Sequence, residues 1–409
     1  MKSTRFSRLM LLITMTNYFY IYILIMTDYN QTRQIIEEKF ISRLSWHKTN
    51  QDVYLDGELF DIAKFRAEVA KEHNVVLDND KYIHELTRLC SLNNPFSPIE
   101  DYLNECFSNY QDTNYKDLFR DINEQVLHID PDSIEALYLP KTLVAAVKRI
   151  YEPGCQHDSV LILNSEKQGF YKTSFFRELA STDWFETINF ASYSKDELMV
   201  CHSKWILELG ECEQTIKPYA MSKLKAFITK TSDSFRKPYA ATNVTLQRQF
   251  ILVGTTNKDK ILHDPTGNRR FWIVEINQKI DIDWIKQNRD LVWAAAVLAY
   301  KDNYSTYLNE TEQELSNSIN SSKYKVEDMW TDIVTNWALD QTTPFTLSDI
   351  LTKALNKEPK TWKRPDENRV TGILQSLGFE KPKNTTRVNG KGGKYYYPIT
   401  NNILDKVAS

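Results

Sequence analysis

The sequence predicts an α/β protein, and three observations carry that expectation. From residue 141 to about 300, short apolar segments ("SVLILN", "KWILEL", "QFILVGTTN", "RRFWIVEI") alternate with helical runs. That is the pattern of a parallel sheet covered by helices. Upstream of this region the apolar spacing is mainly helical, and downstream three helical patterns are followed by a hairpin. The chain has 409 residues, 42% of them hydrophobic, which is enough for two or three domains with sizeable cores. Its 11 glycines leave little material for long flexible linkers.

The elements follow in order. After Lys2, Arg5 and Arg8 comes "LMLLITMTNYFYIYILIM", 18 residues without a charge. It is short for a membrane span and lacks a small-residue cleavage site. Met26 then opens an ordinary soluble sequence. The expectation is that residues 1–25 are a mis-assigned extension ahead of a start at Met26, with a hydrophobic anchor or a signal as the alternatives. Residues 26–140 read as a mainly helical domain. Within it "DVYLDGELFDI" alternates around Asp56-Gly57, a hairpin signal. "FRAEVAKEHNVV" and "YIHELTRLCSL" have helical spacing, and "NPFSPIEDYLNECF" starts a helix after Pro98 with acids in its first turn. Asp130, Asp132 and Glu135 fit a solvated helix start. Residues 141–303 form the α/β core, and 304–325 turn polar, the expected linker. Residues 326–409 read as a separate module. "VEDMWTDIVTNWALDQ", "TPFTLSDILTKAL" and "PDENRVTGILQSLGF" are three helices, the last ended by Gly378. "RVNGKGGKYYYPI" is a hairpin with an Asn-Gly turn. Three helices and a two-stranded wing describe a winged helix.

Net charge is −3, so the bulk charge points to no polyanionic partner. From Asp349 to Ser409, however, twelve Lys/Arg stand against six Asp/Glu. Cys90, Cys106, Cys155, Cys201 and Cys212 form no CxxC pair, which fits structural thiols in a reducing cytoplasm rather than a zinc site.

The stretch "SVLILNSEKQGFYKTSFFRELA" (Ser159 to Ala180) is an apolar strand, a turn, then Lys-Thr-Ser opening a helix. This is the order of parts in a phosphate-binding loop, G-x-x-x-x-G-K-[ST]. Its two defining glycine positions hold Glu166 and Tyr171, leaving Gly169 inside the loop. Lys172 suits the β/γ-phosphates and Thr173 suits Mg²⁺, with Ser174 beside them. A plain strand-turn-helix is the competing reading of the loop taken alone. The residues downstream add to the first reading. "KWILELGE" puts an apolar strand before Glu208, with Glu211 just beyond, acids able to share Mg²⁺ binding and water activation; taken alone, solvated acids at a strand end are the simpler reading. "QFILVGTTN" ends in Thr255, Thr256 and Asn257, an amide able to contact a γ-phosphate. "HDPTGNRRFW" carries Arg269 and Arg270, which fit arginine fingers supplied from a neighbouring subunit.

This order resembles superfamily 3 helicases of viruses and mobile elements, and more closely the virulence-associated protein E family of P-loop ATPases. The matching segments are "EPGCQHDSVLIL", "KQGFYKTSFFREL", "WILELGE", "LKAFITKTSDSFRKPYA", "RQFILVGTTN" and "DPTGNRRFW", in order over about 140 to 275. The resemblance implies an AAA+-like fold, ATP and Mg²⁺ as cofactors, a homo-oligomeric ring and a role in DNA replication of a mobile element, with a primase as a possible partner. Gln168, Gly169, Lys172 and Thr173 keep the family pattern, and Glu166 and Tyr171 depart from it. In superfamily 3 helicases the region of "MSKLKAFITKTSDSFRKPYA" carries a hairpin that projects bases into the ring channel. Lys223, Lys225, Lys230, Arg236 and Lys237 are the candidates here, with Phe235 and Tyr239 interleaved for stacking on single-stranded DNA. A solvated helix and turn is the other reading. Duplex DNA is the partner expected for the C-terminal module. The sequence therefore suggests an ATP-driven replicative helicase, or else a DNA-binding initiator whose ATPase has decayed into a scaffold.

Overall fold

Val160–Asn164 is apolar at four successive positions and buried at all five, so both faces of this strand must be covered. That is what a central strand of a parallel sheet requires. A computed structural model describes residues 28–398, apart from 190–194, 211, 213–217, 237–242, 263–267, 327–328, 381, 383 and 389. It divides into two compact units, Met1–Lys325 and Val326–Ser409.

In the first unit a helical segment ending in the turn Ile36–Phe40 leads into a small sheet in the order β3-β2-β1-β4. Its strands are β1 (Leu44–His47), β2 (Asp52–Leu55), β3 (Glu58–Leu59) and β4 (Pro95–Phe96). The hairpin expected at Asp56-Gly57 joins β2 to β3, and both turn residues have positive φ, 52° and 83°. Helices α1 (Ile62–His73) and α2 (Asp80–Ser91) lie between β3 and β4, capped by Asp61 and Asn79. The four-stranded sheet is an addition to the mainly helical reading. β1 and β4 are too short to show an alternating pattern. Pro98 starts α3 (Pro98–Asn109), and α4 (Tyr115–Asp121) follows.

The main sheet is five-stranded and parallel throughout, in the order β11-β5-β10-β7-β6. Its strands are β5 (Val160–Asn164), β6 (Phe185–Ile188), β7 (Ile206–Leu209), β10 (Ile251–Thr256) and β11 (Phe271–Glu275). The alternation along β5 divides the core. Leu161 and Leu163 pack with α5 (Tyr138–Tyr151), α6 (Lys172–Ala180) and α9 (Ile282–Lys301) on one face. Val160 and Ile162 pack with Leu224 and Phe227 of α8 (Pro218–Ile228) on the other, where Cys201 of α7 (Lys195–His202) also lies. Each such Leu, Ile or Val contributes about 1.5–3 kcal/mol on full burial.

Between α8 and β10 the antiparallel strands β8 (Ser232–Phe235) and β9 (Val244–Gln247) form a separate hairpin. Its base is pinned by a buried cluster. Arg248 donates from Nε and Nη2 to the two Asp233 carboxylate oxygens at 2.7 and 2.9 Å, and His202 Nε2 lies 3.2 Å from Oδ2. Burial pushes the Asp233 carboxyl up, but the His202 and Arg248 hydrogen bonds prevail and hold it well below the usual carboxylate range.

The expected linker at 304–325 is instead part of the first unit. Asn309 and Glu312 form a capping box that starts α10 (Glu310–Ile319). Tyr138 Oη donates to Ser316 Oγ at 2.8 Å, and buried Lys141 donates to the Tyr307 carbonyl at 2.8 Å. Asn320 Nδ2 reaches the carbonyls of Asn268 and Phe271 at 3.1 and 2.9 Å. Buried side-chain hydrogen bonds hold this polar segment where apolar periodicity gave no sign of packing.

The second unit contains α11 (Trp330–Leu339), β12 (Phe345–Thr346) and α12 (Leu347–Asp349), which runs on as a π-helical turn Ile350–Ala354. Next come α13 (Arg364–Ser376) and the strands β13 (Thr386–Val388), β14 (Lys391–Gly393) and β15 (Tyr395–Tyr396). Thr346 caps α12, and Gly378 at φ 88° follows α13. β13 pairs with β14 across Gly390, while β15 returns to pair with β12. Val334, Phe345, Ile350, Leu374, Phe379 and Tyr396 form a core of its own.

Among the described residues no helix is long and apolar enough to cross a membrane. The 18-residue apolar stretch at the N-terminus lies outside them. The five cysteines are free thiols, and Cys90, Cys106, Cys201 and Cys212 are buried.

Candidate functional site

The loop 165–171 leaves β5 at its carboxyl end and delivers the chain into α6. The strand order places this point between β11 and β10, at the switch where successive strands leave in opposite directions. Ligands of open α/β sheets bind at such a crevice. Ser165 N–H donates to the Thr256 carbonyl at 3.2 Å, tying the loop entry to β10. Gly169 has φ 79° and open space where a Cβ would stand. Tyr171, the N-cap residue of α6, has φ 63° and ψ 23° and makes no side-chain cap. The first-turn amides of α6 therefore lack the oxygen that Ser, Thr, Asp or Asn would offer at this position. A helix start of this kind suits an anion.

Four of the residues singled out from the sequence meet here. Lys172 is buried, and its Nζ donates to Ser165 Oγ and, at 2.6 Å, to Asn257 Oδ1. Thr173 Oγ1 donates to Glu208 Oε1 at 2.7 Å. Glu208 is 2% exposed, unlike the solvated strand-end acid of the simpler reading. It also accepts from Thr255 Oγ1 at 2.6 Å and from Thr187 Oγ1 at 3.0 Å. The buried ammonium and the buried carboxylate thus sit in adjacent hydrogen-bonded clusters, drawn from three neighbouring strands and one helix start. Ser174 follows in the first turn of α6, half-buried, and Gln168 and Gly169 are exposed on the loop.

The donor chemistry fits a hard divalent cation. Thr173 Oγ1 and Glu208 are oxygen ligands, and Mg²⁺ is commonly held by one or two protein oxygens plus substrate phosphates. Among the described residues there is no group of three or more His, Cys, Asp or Glu that would make an all-protein metal cage.

Other expected residues lie elsewhere. The register pairs Phe271 with Val160 and Glu275 with Asn164. Arg269 and Arg270, in the turn just before β11, are therefore at the opposite end of the sheet from Lys172. Arg269 is exposed, and Arg270 is half-buried with its Nε unpaired. Lys223 and Lys225 stand on α8 rather than on a hairpin, and Lys230 follows it, 3.6 Å from Asp233. Arg236 is exposed at the end of β8. Phe235 is 3% exposed against His202, so it belongs to the core and not to a stacking surface. Glu211, Lys237 and Tyr239 lie outside the described residues.

Two participants escaped the sequence reading. Thr187 is 21 residues before Glu208, on the sheet edge, where threonine is an ordinary strand residue. The Arg248–Asp233–His202 cluster joins the end of α7, strand β8 and the residue after β9, and carries no motif.

A family model for the virulence-associated protein E-like domain matches residues 103–325. The chain belongs to the virulence-associated protein E-like family. The matched span of this virulence-associated protein E-like chain takes in α4, α5, the five-stranded sheet and the Asn309-capped helix α10. Similar solved structures include the apo NrS-1 C-terminal region, 11% identical with a TM-score of 0.45, covering 87% of this chain and 96% of that one. A second, the A form of that region, is 13% identical with a TM-score of 0.41 and the same coverage. No curated protein matches the sequence.

Proposed function

We propose that this chain is an ATP-hydrolysing translocase or helicase that assembles as a ring and acts in DNA replication of a phage or mobile element. The observation that carries this reading is the joined pair of clusters Lys172–Asn257 and Thr173–Glu208 beside the uncapped start of α6. It brings a cation, a hydroxyl, a carboxylate and an amide to one end of a parallel sheet. In this reading the core is an AAA+-like P-loop domain. The loop and first-turn amides, with Gln168, Gly169 and Ser174, hold the phosphates, and Lys172 neutralises the β/γ-oxygens. Thr173 and Glu208 would hold Mg²⁺, which would supply neutralisation of the phosphate charge. Glu208 and Glu211 share metal binding and water activation, and Asn257 senses the γ-phosphate through its link to Lys172.

Arg269 and Arg270 act on a neighbour's nucleotide. Their separation from Lys172 by the length of β5 supports action in trans over action in cis. Lys223, Lys225, Lys230, Arg236 and Lys237 face single-stranded DNA, and the basic C-terminal unit, read as a winged helix, takes duplex DNA. The direct test is Mg²⁺-dependent ATP hydrolysis by the full chain, with and without single-stranded DNA. Hydrolysis that requires Mg²⁺ and rises with DNA is the expected result. No hydrolysis in either condition would sink the proposal.

A second reading, a DNA-binding initiator or regulator with a weak ATPase scaffold, is favoured by Tyr171. With Glu166 it replaces both defining glycines of the loop, an erosion that a scaffold no longer hydrolysing ATP would tolerate.

A further inference from the structure

Glu208 is an acceptor-only group when ionised, with two oxygens to orient. Oε1 faces α6 and takes the hydroxyls of Thr173 and Thr255. Oε2 faces the sheet edge and takes the hydroxyl of Thr187 at 3.0 Å. The three threonines come from different elements, α6, β10 and β6, so the carboxylate is gripped from both strands that flank β7. Register explains the grip on Oε2. Thr187 is the direct partner of Glu208 in the parallel pairing of β6 with β7, so both side chains leave the same face of the sheet. The neighbouring backbone leaves room for it. Gly210 stands beside Thr187, and a Cβ there would come within 3.0 Å of Thr187 Cγ2.

We infer that Thr187 is a positioning residue that sets the orientation of the Glu208 carboxylate for holding a divalent cation beside Thr173. The inference rests on the nucleotide reading above. A threonine hydroxyl has one proton and two lone pairs. Thr173 can therefore present a lone pair to a cation while still donating to Glu208. Thr255 spends its proton on the same oxygen, Oε1. Thr187 is the donor on the other oxygen, and it stops the carboxylate from swinging about its last torsion. The bland alternative is that Thr187 simply satisfies a buried oxygen. Thr187 is exposed on the sheet edge, so water can replace it in that role at little cost to folding.

The test compares Thr187→Val with Thr187→Ser and Gly210→Ala in the full chain. Mn²⁺ binding in the presence of ADP is read by electron paramagnetic resonance, and thermal melting is recorded alongside. Loss of an outer-sphere partner of a metal-holding carboxylate weakens metal binding by about tenfold or more. Thr187→Val is expected to weaken Mn²⁺ by at least that factor while melting close to wild type. Thr187→Ser, which keeps the hydroxyl, is expected to bind within about twofold of wild type on the same basis. Gly210→Ala, whose Cβ meets Thr187 Cγ2 at 3.0 Å and shifts it by a few tenths of an ångström, is expected to weaken binding by less than Thr187→Val does. A Thr187→Val protein that binds Mn²⁺ like wild type overturns the inference, and so does an equal loss in Thr187→Ser. If wild type binds ADP but no Mn²⁺, this inference falls while nucleotide binding survives. If it binds neither, the nucleotide reading falls with it.

Discussion

Tyr171 shows how one residue changes the reading of a loop. A tyrosine standing where the phosphate-loop pattern has glycine is expected only if the native φ there is negative. It is +63°. Tyr171 is 48% exposed, with Lys279 Nζ 5.9 Å from its ring centroid, so its packing is slight. A left-handed L-residue costs about 1–2 kcal/mol, and glycine gives back about 0.5–1 kcal/mol through unfolded-state entropy. Tyr171→Gly is therefore expected to leave chemical stability unchanged or slightly raised, and hydrolysis within about tenfold of wild type, a barrier change of ~1.4 kcal/mol. Gly169→Ala, at φ 79° with no steric clash, is expected to lose about 1–2 kcal/mol. Urea melts of both variants check the contrast, and a Tyr171→Gly protein markedly less stable than wild type contradicts it. Lys172→Ala is expected to abolish ATP hydrolysis, and turnover like wild type would make the loop vestigial. His157 is buried with neither ring nitrogen bonded, and burial, then Arg149, pushes it down to about 3. A neutral native histidine that protonates only when unfolded stabilises the fold above its unfolded value of about 6.5. As pH falls from there toward 3 the unfolded state gains a proton first, and about 4 kcal/mol is lost. His157→Leu is expected to flatten the drop in melting temperature between pH 6.5 and 4.5, a window above the range where Asp233 protonates. An unchanged slope would refute this.

At the scale of elements, the β8–β9 hairpin is held at its base rather than along its length. Arg248 is fully buried, donates to both Asp233 oxygens and reaches the Phe227 carbonyl at 2.5 Å. Its guanidinium also lies over the Phe227 and Phe250 rings at 4.2 and 5.0 Å. Breaking one partner of such a pair leaves a buried charge behind and costs about 3–5 kcal/mol. Arg248→Met is expected to lose that much in denaturant unfolding, and a loss under ~1 kcal/mol would show that the pair contributes little net stability. Removing the Asn309 side chain tests the segment mistaken for a linker. Asn309→Ala deletes one half of a capping box and is expected to cost about 1 kcal/mol. A true linker would show no effect in the same melt.

At the scale of the whole molecule, the two units invite separate tests. Val326–Ser409 has its own core, so the isolated segment is expected to fold. In the proposed reading it binds duplex DNA through phosphates, with a salt slope of roughly −0.9 per contact. Binding that ignores salt, or no binding at low salt, argues against a winged helix. In the proposed reading the arginines act in trans, which would make activity depend on neighbours. The Arg269→Ala/Arg270→Ala double variant is expected to bind ATP without hydrolysing it. Mixing it with Lys172→Ala is expected to restore some turnover at mixed interfaces. Absence of rescue despite subunit exchange would argue that the arginines act in cis or are structural.

The α/β class, β5, β7, β10 and β11, the Asp56-Gly57 hairpin and the helices of the C-terminal unit were legible in the sequence alone. Each rests on a local signal: an apolar run, an alternation, a cap or a turn residue. Lys172, Thr173, Glu208 and Asn257 were legible for a related reason, since each stands at the end of a recognisable element. What only the tertiary structure decided is how those ends meet. Strand order brings β7 and β10 beside β5, and that turns an expected solvated acid into a buried carboxylate gripped by three threonines. The same order carries Arg269 and Arg270 to the far end of the sheet, although they are near Asn257 in the chain. The packing of 304–325, the burial of Phe235 and the Arg248–Asp233–His202 cluster were hidden for one physical reason. They depend on side chains meeting partners distant in sequence, and such contacts leave no periodic trace in the residues that make them.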